Sequence, residues 1–214
     1  MFRISIDSEE IDSLEVVSFP GNICVIDSEG TEFDRAIRYL KHQKVIGFDT
    51  ESKPVFTPDQ HHNGTALLQL SGGTRAFLFR VKSLGMPAKL RNILSSHTHI
   101  KVGAAVHDDV LGLRRIADFV PRAFVDLQKI VWEYGIKDKS VKKMAAIIMG
   151  VKISKKEQLS NWEAEELSPQ QCAYAATDAW ICREMYRKLQ NSEKNPLTPE
   201  QMAPNPPHNP VSNG

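Results

Sequence analysis

The stretch Val45-Ile-Gly-Phe-Asp-Thr-Glu51 decides how the chain is read, because it is an apolar run that ends in acid. Its length and composition suit a buried strand. In a strand, residues i and i+2 project from one face, so Asp49 and Glu51 point the same way. Two carboxylates side by side repel each other unless a cation lies between them. Hard oxygen ligands of this kind suit magnesium or manganese. Taken alone, Asp-x-Glu is common at solvated strand ends, so the pattern needs support from elsewhere in the chain.

Working outward, Ile23–Ile26 reads as a short strand, and Phe33, Ala36, Ile37 and Leu40 recur at helical spacing. Ala66–Ser71 and Ala76–Phe79 are apolar runs separated by Gly72–Gly73, the pattern of an antiparallel hairpin. A helix over Pro87–Leu94 precedes a strand expected over Ile100–Val106. The next helix is expected to start at Asp108 or Asp109, since either can cap it, with Val110, Leu113 and Ala117 inward. Phe124–Leu127 reads as a final strand. Ser140 suits the N-cap of a helix over Val141–Met149, and Gly150 the left-handed position that closes it. Ser168, Pro169 and Gln171 combine a cap, a first-turn proline and a capping-box glutamine, opening a helix that runs to about Leu189. The alternation implies an α/β fold, a mixed sheet flanked by helices.

Two further acidic positions bear on Asp49 and Glu51. Tyr174 and Asp178 lie four residues apart on the last helix and share a face. Their neighbours Cys172, Ala173, Ala175, Ala176 and Ala179 are small, which lets the helix press closely on a sheet. An aspartate in such a setting is costly to bury without a partner. Asp108 and Asp109 follow an apolar strand with Gly103 in it. One can cap the helix while the other reaches toward Asp49 and Glu51. Each site alone has an ordinary structural explanation; three together favour a shared metal centre.

Length and composition are those of a globular protein: 214 residues, 41% hydrophobic and 25% charged. The formal net charge of +1 neither supports nor opposes a nucleic-acid partner, since acidic site residues would mask a basic surface. Cys24, Cys172 and Cys182 are odd in number and widely spaced, which argues for reduced thiols. The acidic, polar first fifteen residues do not read as a signal peptide, and no run suits a membrane span, so the expected location is cytoplasmic. Asn191–Gly214 holds six of the 12 prolines, so a folded domain over 1–190 and a disordered tail over 191–214 are expected.

Three ordered motifs resemble the DEDD superfamily of 3′–5′ exonucleases, close to ribonuclease D and the Werner-type exonuclease domain. The first is Val45–Glu51 with Ala66-Leu-Leu-Gln-Leu-Ser71. The second is Lys101-Val-Gly-Ala-Ala-Val-His-Asp-Asp109 with Val125-Asp-Leu127. The third is Leu159-Ser-Asn-Trp162 with Leu167-Ser-Pro-Gln-Gln-Cys-Ala-Tyr-Ala-Ala-Thr-Asp178. The resemblance spans about residues 23–190 and implies a ribonuclease H-like fold with a mixed sheet of five to six strands. It implies that Asp49, Glu51, Asp109 and Asp178 bind two divalent cations, Mg2+ or Mn2+, and that Tyr174 orients the attacking water. Asp109, not Asp108, falls at the family position. A sister group carries histidine five residues before the last aspartate; Ala173 stands there, which favours the tyrosine subtype. The resemblance implies that Asp49 and Asp178 serve the metal near the attacking water or bridge both metals, with Glu51 helping, and that Asp109 serves the metal near the leaving group. The expected substrate is a single-stranded 3′ end of RNA or DNA. The competing reading is a non-catalytic nucleic-acid-binding domain on the same fold.

Residues 137–156 carry seven lysines against one acid, Asp138. Lys142, Lys143, Lys155 and Lys156 are candidates for phosphate contact, although such runs are commonly solvated surface. Trp162 is expected to pack its loop, and Gln69, inside an apolar strand, to satisfy a backbone group. His61, His62, His97, His99 and His107 form no metal-ligand spacing with any cysteine and read as surface residues.

Overall fold

A computed structural model describes residues 1–54 and 64–203. His61 and His62 lie outside the described residues. In chain order the elements are α1 (Ser8–Asp12), β1 (Val16–Val17), β2 (Asn22–Ile26), α2 (Thr31–Lys41), β3 (Val45–Ser52), β4 (Thr65–Ser71) and β5 (Arg75–Arg80). There follow α3 (Val81–Leu84), α4 (Ala88–Ser95), β6 (Ile100–Gly103), α5 (Val106–Ile116), β7 (Phe124–Asp126) and α6 (Leu127–Ile130). A 3-10 turn (Val131–Tyr134), α7 (Val141–Met149), β8 (Lys152–Ile153), α8 (Pro169–Gln190) and α9 (Pro199–Met202) complete the fold.

Six strands form one mixed sheet in the order β2-β5-β4-β3-β6-β7. The hairpin foreseen at Gly72–Gly73 pairs β4 with β5, and β3 runs antiparallel to β4 but parallel to β6. Alternation along β3 sends Ile46 and Phe48 to a core shared with α2, α4 and α5. Gly47, Asp49 and Glu51 therefore face the other way, toward α8. β4, central in the sheet, is buried at all seven positions, the polar Thr65, Gln69 and Ser71 included.

The last helix is held close to the sheet. A Cβ on Gly47 would stand 1.9 Å from the Ala179 carbonyl oxygen, and Ala175, Ala176 and Ala179 are fully buried. This contact brings Asp178 over the end of β3. The foreseen capping box is present: Ser168 accepts from the Gln171 amide, and the Gln171 side chain accepts from the Ser168 amide.

Two expectations are corrected. β6 stops at Gly103, and α5 begins at Val106 behind Ala105, whose φ of 57° is left-handed. A Cβ at Gly103 would meet the Phe48 carbonyl oxygen at 2.6 Å, so the chain passes very near β3 before turning away. Neither Asp108 nor Asp109 caps the helix. Asp126 instead accepts from the Ala105 and Gln128 amides, both at 3.0 Å, tying the turn to β7. Secondly, the chain beyond residue 190 is packed as far as Ala203. The Asn195 and Leu197 amides donate to Glu133 and Trp132 carbonyls at 2.9 Å, Leu197 is buried, and Thr198 caps α9 with Pro199 in the first turn. Proline costs nothing at that position, where its missing N–H would be unpaired anyway. Residues 204–214 lie outside the described part. The N-terminal segment packs into the domain: Ile6 and Ile11 lie against Ala146, and β1 pairs with β8.

Among the described residues no helix is long and apolar enough to cross a membrane. The three cysteines are free thiols. Because α8 sits so tightly on β3, Gly47→Ala is expected to destabilise the fold by about 1–3 kcal/mol through overpacking. Urea unfolding checks this, and an unchanged midpoint would contradict the close approach.

Candidate active site

Asp49 and Glu51 project from the end of β3, and Asp178 from α8 meets them. One carboxylate oxygen from each lies within 4.8 Å of the others. A β-bulge shifts the β3–β4 register between Glu51 and Ser52, leaving Ala66 without a partner residue. Bulges re-aim side chains beside functional sites, and this one follows directly on the second acid. The i, i+2 and i, i+4 spacings thus converge as the sequence implies.

Asp109 stands beside this trio. It enters from the first turn of α5, where its Oδ1 accepts from Thr50 Oγ1 at 2.6 Å. Thr50 lies between the two acids of β3, and the period of the strand turns it toward α5. Strand period alone is the signal in the sequence that marks Thr50 as a partner for an acid on that side. Asp108 is exposed and adds to the negative charge around Asp109.

Burial holds the Asp49 carboxyl well above the ordinary carboxylate range, and the charges of Asp178, Glu51 and Asp109 add to this. Glu51 is pushed up to about 9 by burial and by Asp178 and Asp109. Burial raises Asp178 to about 7 against the opposing Tyr174 hydroxyl and Lys155 ammonium. Asp109 is raised to about 6 by burial, opposed by the Thr50 hydroxyl. The repulsion belongs to the group as a whole, so at neutral pH the four carboxyls cannot all be ionised on their own. Divalent cations fit such a donor set: all-oxygen, half-buried, and short of positive charge.

Tyr174 is buried and hydrogen-bonded to Asp178. Burial, followed by the nearby carboxylates, raises its phenol further above the ordinary value, so it stays protonated. Its ring packs on Trp162 with centroids 5.9 Å apart. Trp162 is 1% exposed and anchors its loop, which the Gln171 side chain also holds by donating to the Asn161 carbonyl at 3.2 Å.

The carboxylates open into a pocket of about 290 Å3 whose far wall is Ser154, Lys155 and Gln158. A second pocket, of about 610 Å3, shares Thr50 with the first and is lined by Ser52, Thr65, Leu111, Arg115 and Ile116. Lys155 thus reaches the site, and Lys156 lies nearby on the outer side of Tyr174. Lys142 and Lys143 are engaged elsewhere: they pair with Asp12 and Asp138 at 3.3 and 3.0 Å. Asp138 also accepts from the Ile6 amide, so these two lysines help hold the N-terminal segment on α7. His107 and His97 are exposed, and His99 bonds the Gln43 carbonyl.

The family model described as 3′–5′ exonuclease matches residues 24–193. Curated relatives include the mouse bifunctional 3′–5′ exonuclease/ATP-dependent helicase WRN, 27% identical over 189 residues. Another is the exonuclease 3′–5′ domain-containing protein 2 of Drosophila melanogaster, 34% identical over 151 residues. These alignments cover 84% and 68% of this chain but only 13% and 25% of the relatives. Among solved structures, Escherichia coli RNase D superposes with a TM-score of 0.70 at 23% identity, covering 79% of this chain and 44% of that one. Trypanosoma brucei RNase D in complex with RNA U12 gives 0.71 at 18%, covering 82% and 64%. These likenesses establish the fold as ribonuclease H-like, as the motifs imply. With the family model matched over most of its length, the chain belongs to the 3′–5′ exonuclease family of the DEDD superfamily.

Proposed function

We propose that this chain removes nucleotides one at a time from the 3′ end of single-stranded RNA or DNA, as a tyrosine-type exonuclease using two divalent cations. The observation that carries this reading is the convergence of Asp49, Glu51 and Asp178 within 4.8 Å, with Asp109 and Tyr174 beside them. Two bound cations, Mg2+ or Mn2+, would lower the pKa of the attacking water and stabilise the attacking and leaving oxygens. Asp49 and Asp178, with Glu51, would hold the ion near the water, and Asp109 the ion near the leaving group.

Tyr174 cannot serve as the base, because its phenol holds its proton far above neutral pH. With that proton committed to Asp178, its oxygen lone pairs are free to accept from the water and aim it. Attack on phosphorus breaks the bond to the 3′ oxygen, releasing a nucleoside 5′-monophosphate and a shortened strand. Lys155 stands where a phosphate would enter, and Lys156 follows it along the same loop. On the other side of Thr50, exposed Leu111 and Ile116 offer apolar surface for base faces, and Arg115 a charge for the backbone.

Purified protein should shorten 5′-labelled single-stranded RNA or DNA to a ladder from the 3′ end, only with Mg2+ or Mn2+, and Asp49→Ala should abolish this. Internal cuts, or an unaffected Asp49→Ala variant, would contradict the reading. Tyr174→Phe should lower kcat about a hundredfold and Mn2+ affinity by much less, because the aim of the water is lost together with one hydrogen bond to Asp178. Equal loss of metal binding would sink that role.

The raised carboxyls also predict how stability depends on pH. A carboxyl whose folded pKa exceeds its unfolded one binds more protons when folded, so metal-free stability falls as pH rises between the two. For Glu51 that window runs from 4.5 to about 9, and for Asp178 from 3.8 to about 7. Tm measured in chelator should therefore decline from pH 5 toward pH 9 on account of this group, and Mn2+ should raise Tm most at the alkaline end. A Mn2+ effect that shrinks with rising pH would contradict this account.

A further inference from the structure

Gln69 lies in the middle of β4 with no exposed surface, and neither its amide nitrogen nor its amide oxygen has a hydrogen-bond partner among the described residues. It does not satisfy a backbone group, as its sequence setting suggests. A buried amide without partners is costly, and such groups are rare in a packed interior unless they serve a site.

Its position identifies what it faces. In the antiparallel β3–β4 ladder Gln69 stands directly opposite Asp49. Cross-strand residues project to the same face with Cβ atoms roughly 4.5–5.5 Å apart. For Asp49 that face is the α8 side, since Gly47, two residues earlier, abuts the Ala179 carbonyl. Leu67, two residues before Gln69, packs in the same layer with Trp162, Tyr174 and Ala175. The Asp49 carboxylate is favoured in its charged form by the Thr50 backbone, against burial and three neighbouring carboxylates. An unused N–H2 group therefore adjoins the deepest carboxylate of the site. A second unpaired donor, the Trp162 indole N–H, is buried in this layer, and Gln69 carries an unused carbonyl oxygen.

We propose that Gln69 is a positioning residue for Asp49, its amide N–H2 holding the carboxylate in its metal-binding orientation while the Trp162 indole N–H engages the amide oxygen, directly or through one buried water. Ligand carboxylates are commonly fixed by such an outer partner, and a water linking two buried polar groups meets the requirement for ordered solvent. The inference rests on the metal-dependent reading of the site. The amide touches no substrate, and its effect passes through Asp49 alone. An orphan amide kept for this purpose explains why a long polar side chain stands in the middle of this buried strand, opposite the first acid.

The test compares wild type with Gln69→Met, which keeps length and volume and removes both polar atoms, and with Gln69→Leu as a second variant. Mn2+ affinity is measured by calorimetry without nucleic acid, and Tm is measured in chelator. Loss of the positioning contact predicts that Mn2+ affinity falls about tenfold or more. Tm in chelator should hold or rise, because an unpaired buried amide has been exchanged for apolar volume. Trp162→Phe should weaken Mn2+ binding in the same direction but less. Unchanged Mn2+ affinity in a folded Gln69 variant would overturn the proposal, as would wild-type protein that binds no Mn2+. Wild type that binds Mn2+ but degrades neither polymer would refute the exonuclease reading, and the affinity comparison would still decide the role of Gln69.

Discussion

Mutual repulsion among half-buried carboxylates is the constraint on which the rest of this structure depends. Asp49, Glu51 and Asp178 are brought within 4.8 Å of one another by elements far apart in sequence, and burial alone already disfavours their charge. No fold benefits from this arrangement by itself, since proton uptake relieves it only in part. The stability of the rest of the domain has to hold the acids together until cations neutralise them. The packing is arranged to do so. The bare Gly47 backbone lets α8 lie against β3, the alanines of α8 remove any side chain that would lift it, and the capping box fixes where the helix begins.

The surroundings divide into a rigid floor and a polar wall. The floor is the pair of strands β3 and β4, the latter buried throughout, and the first two acids emerge from β3 beside a bulge. The wall is the loop after β8, tied down at one end by β1 and at the other by Trp162, which places Lys155 opposite Asp178. The N-terminal segment thus supports the site, and its Val16, Val17 and Ser18 share a pocket with Tyr174. It pairs with β8 and engages Lys142 and Lys143, so part of the basic run is structural while its end faces the pocket. A lysine run read only as charge cannot show this division, because it depends on where Asp12 and Asp138 lie in space.

Much of the fold was legible because its signals are local. Alternation and apolar run length located β3, β4 and β5, the glycine pair located the hairpin, and Ser168-Pro-Gln-Gln171 located the start of α8. Strand and helix periods likewise paired Asp49 with Glu51 and Tyr174 with Asp178, whereas the choice of Asp109 over Asp108 came from the family resemblance and from no local spacing. What escaped was set by tertiary contacts. The start of α5 depends on Asp126 reaching the Ala105 amide from another strand, and no local pattern announces it. The packing of Leu197 and the short helix α9 follow from contacts with Trp132 and Glu133, against a composition that suggests disorder. The unpaired state of Gln69 is visible only once the layer above β4 is known.

The central claim is that these four carboxylates hold two cations at the end of β3. Anomalous diffraction from crystals grown with Mn2+ and a nucleoside 5′-monophosphate tests it most directly. The account predicts two manganese peaks roughly 3.5–4 Å apart, one among Asp49, Glu51 and Asp178 and one against Asp109. A single peak, or peaks away from these residues, would contradict it.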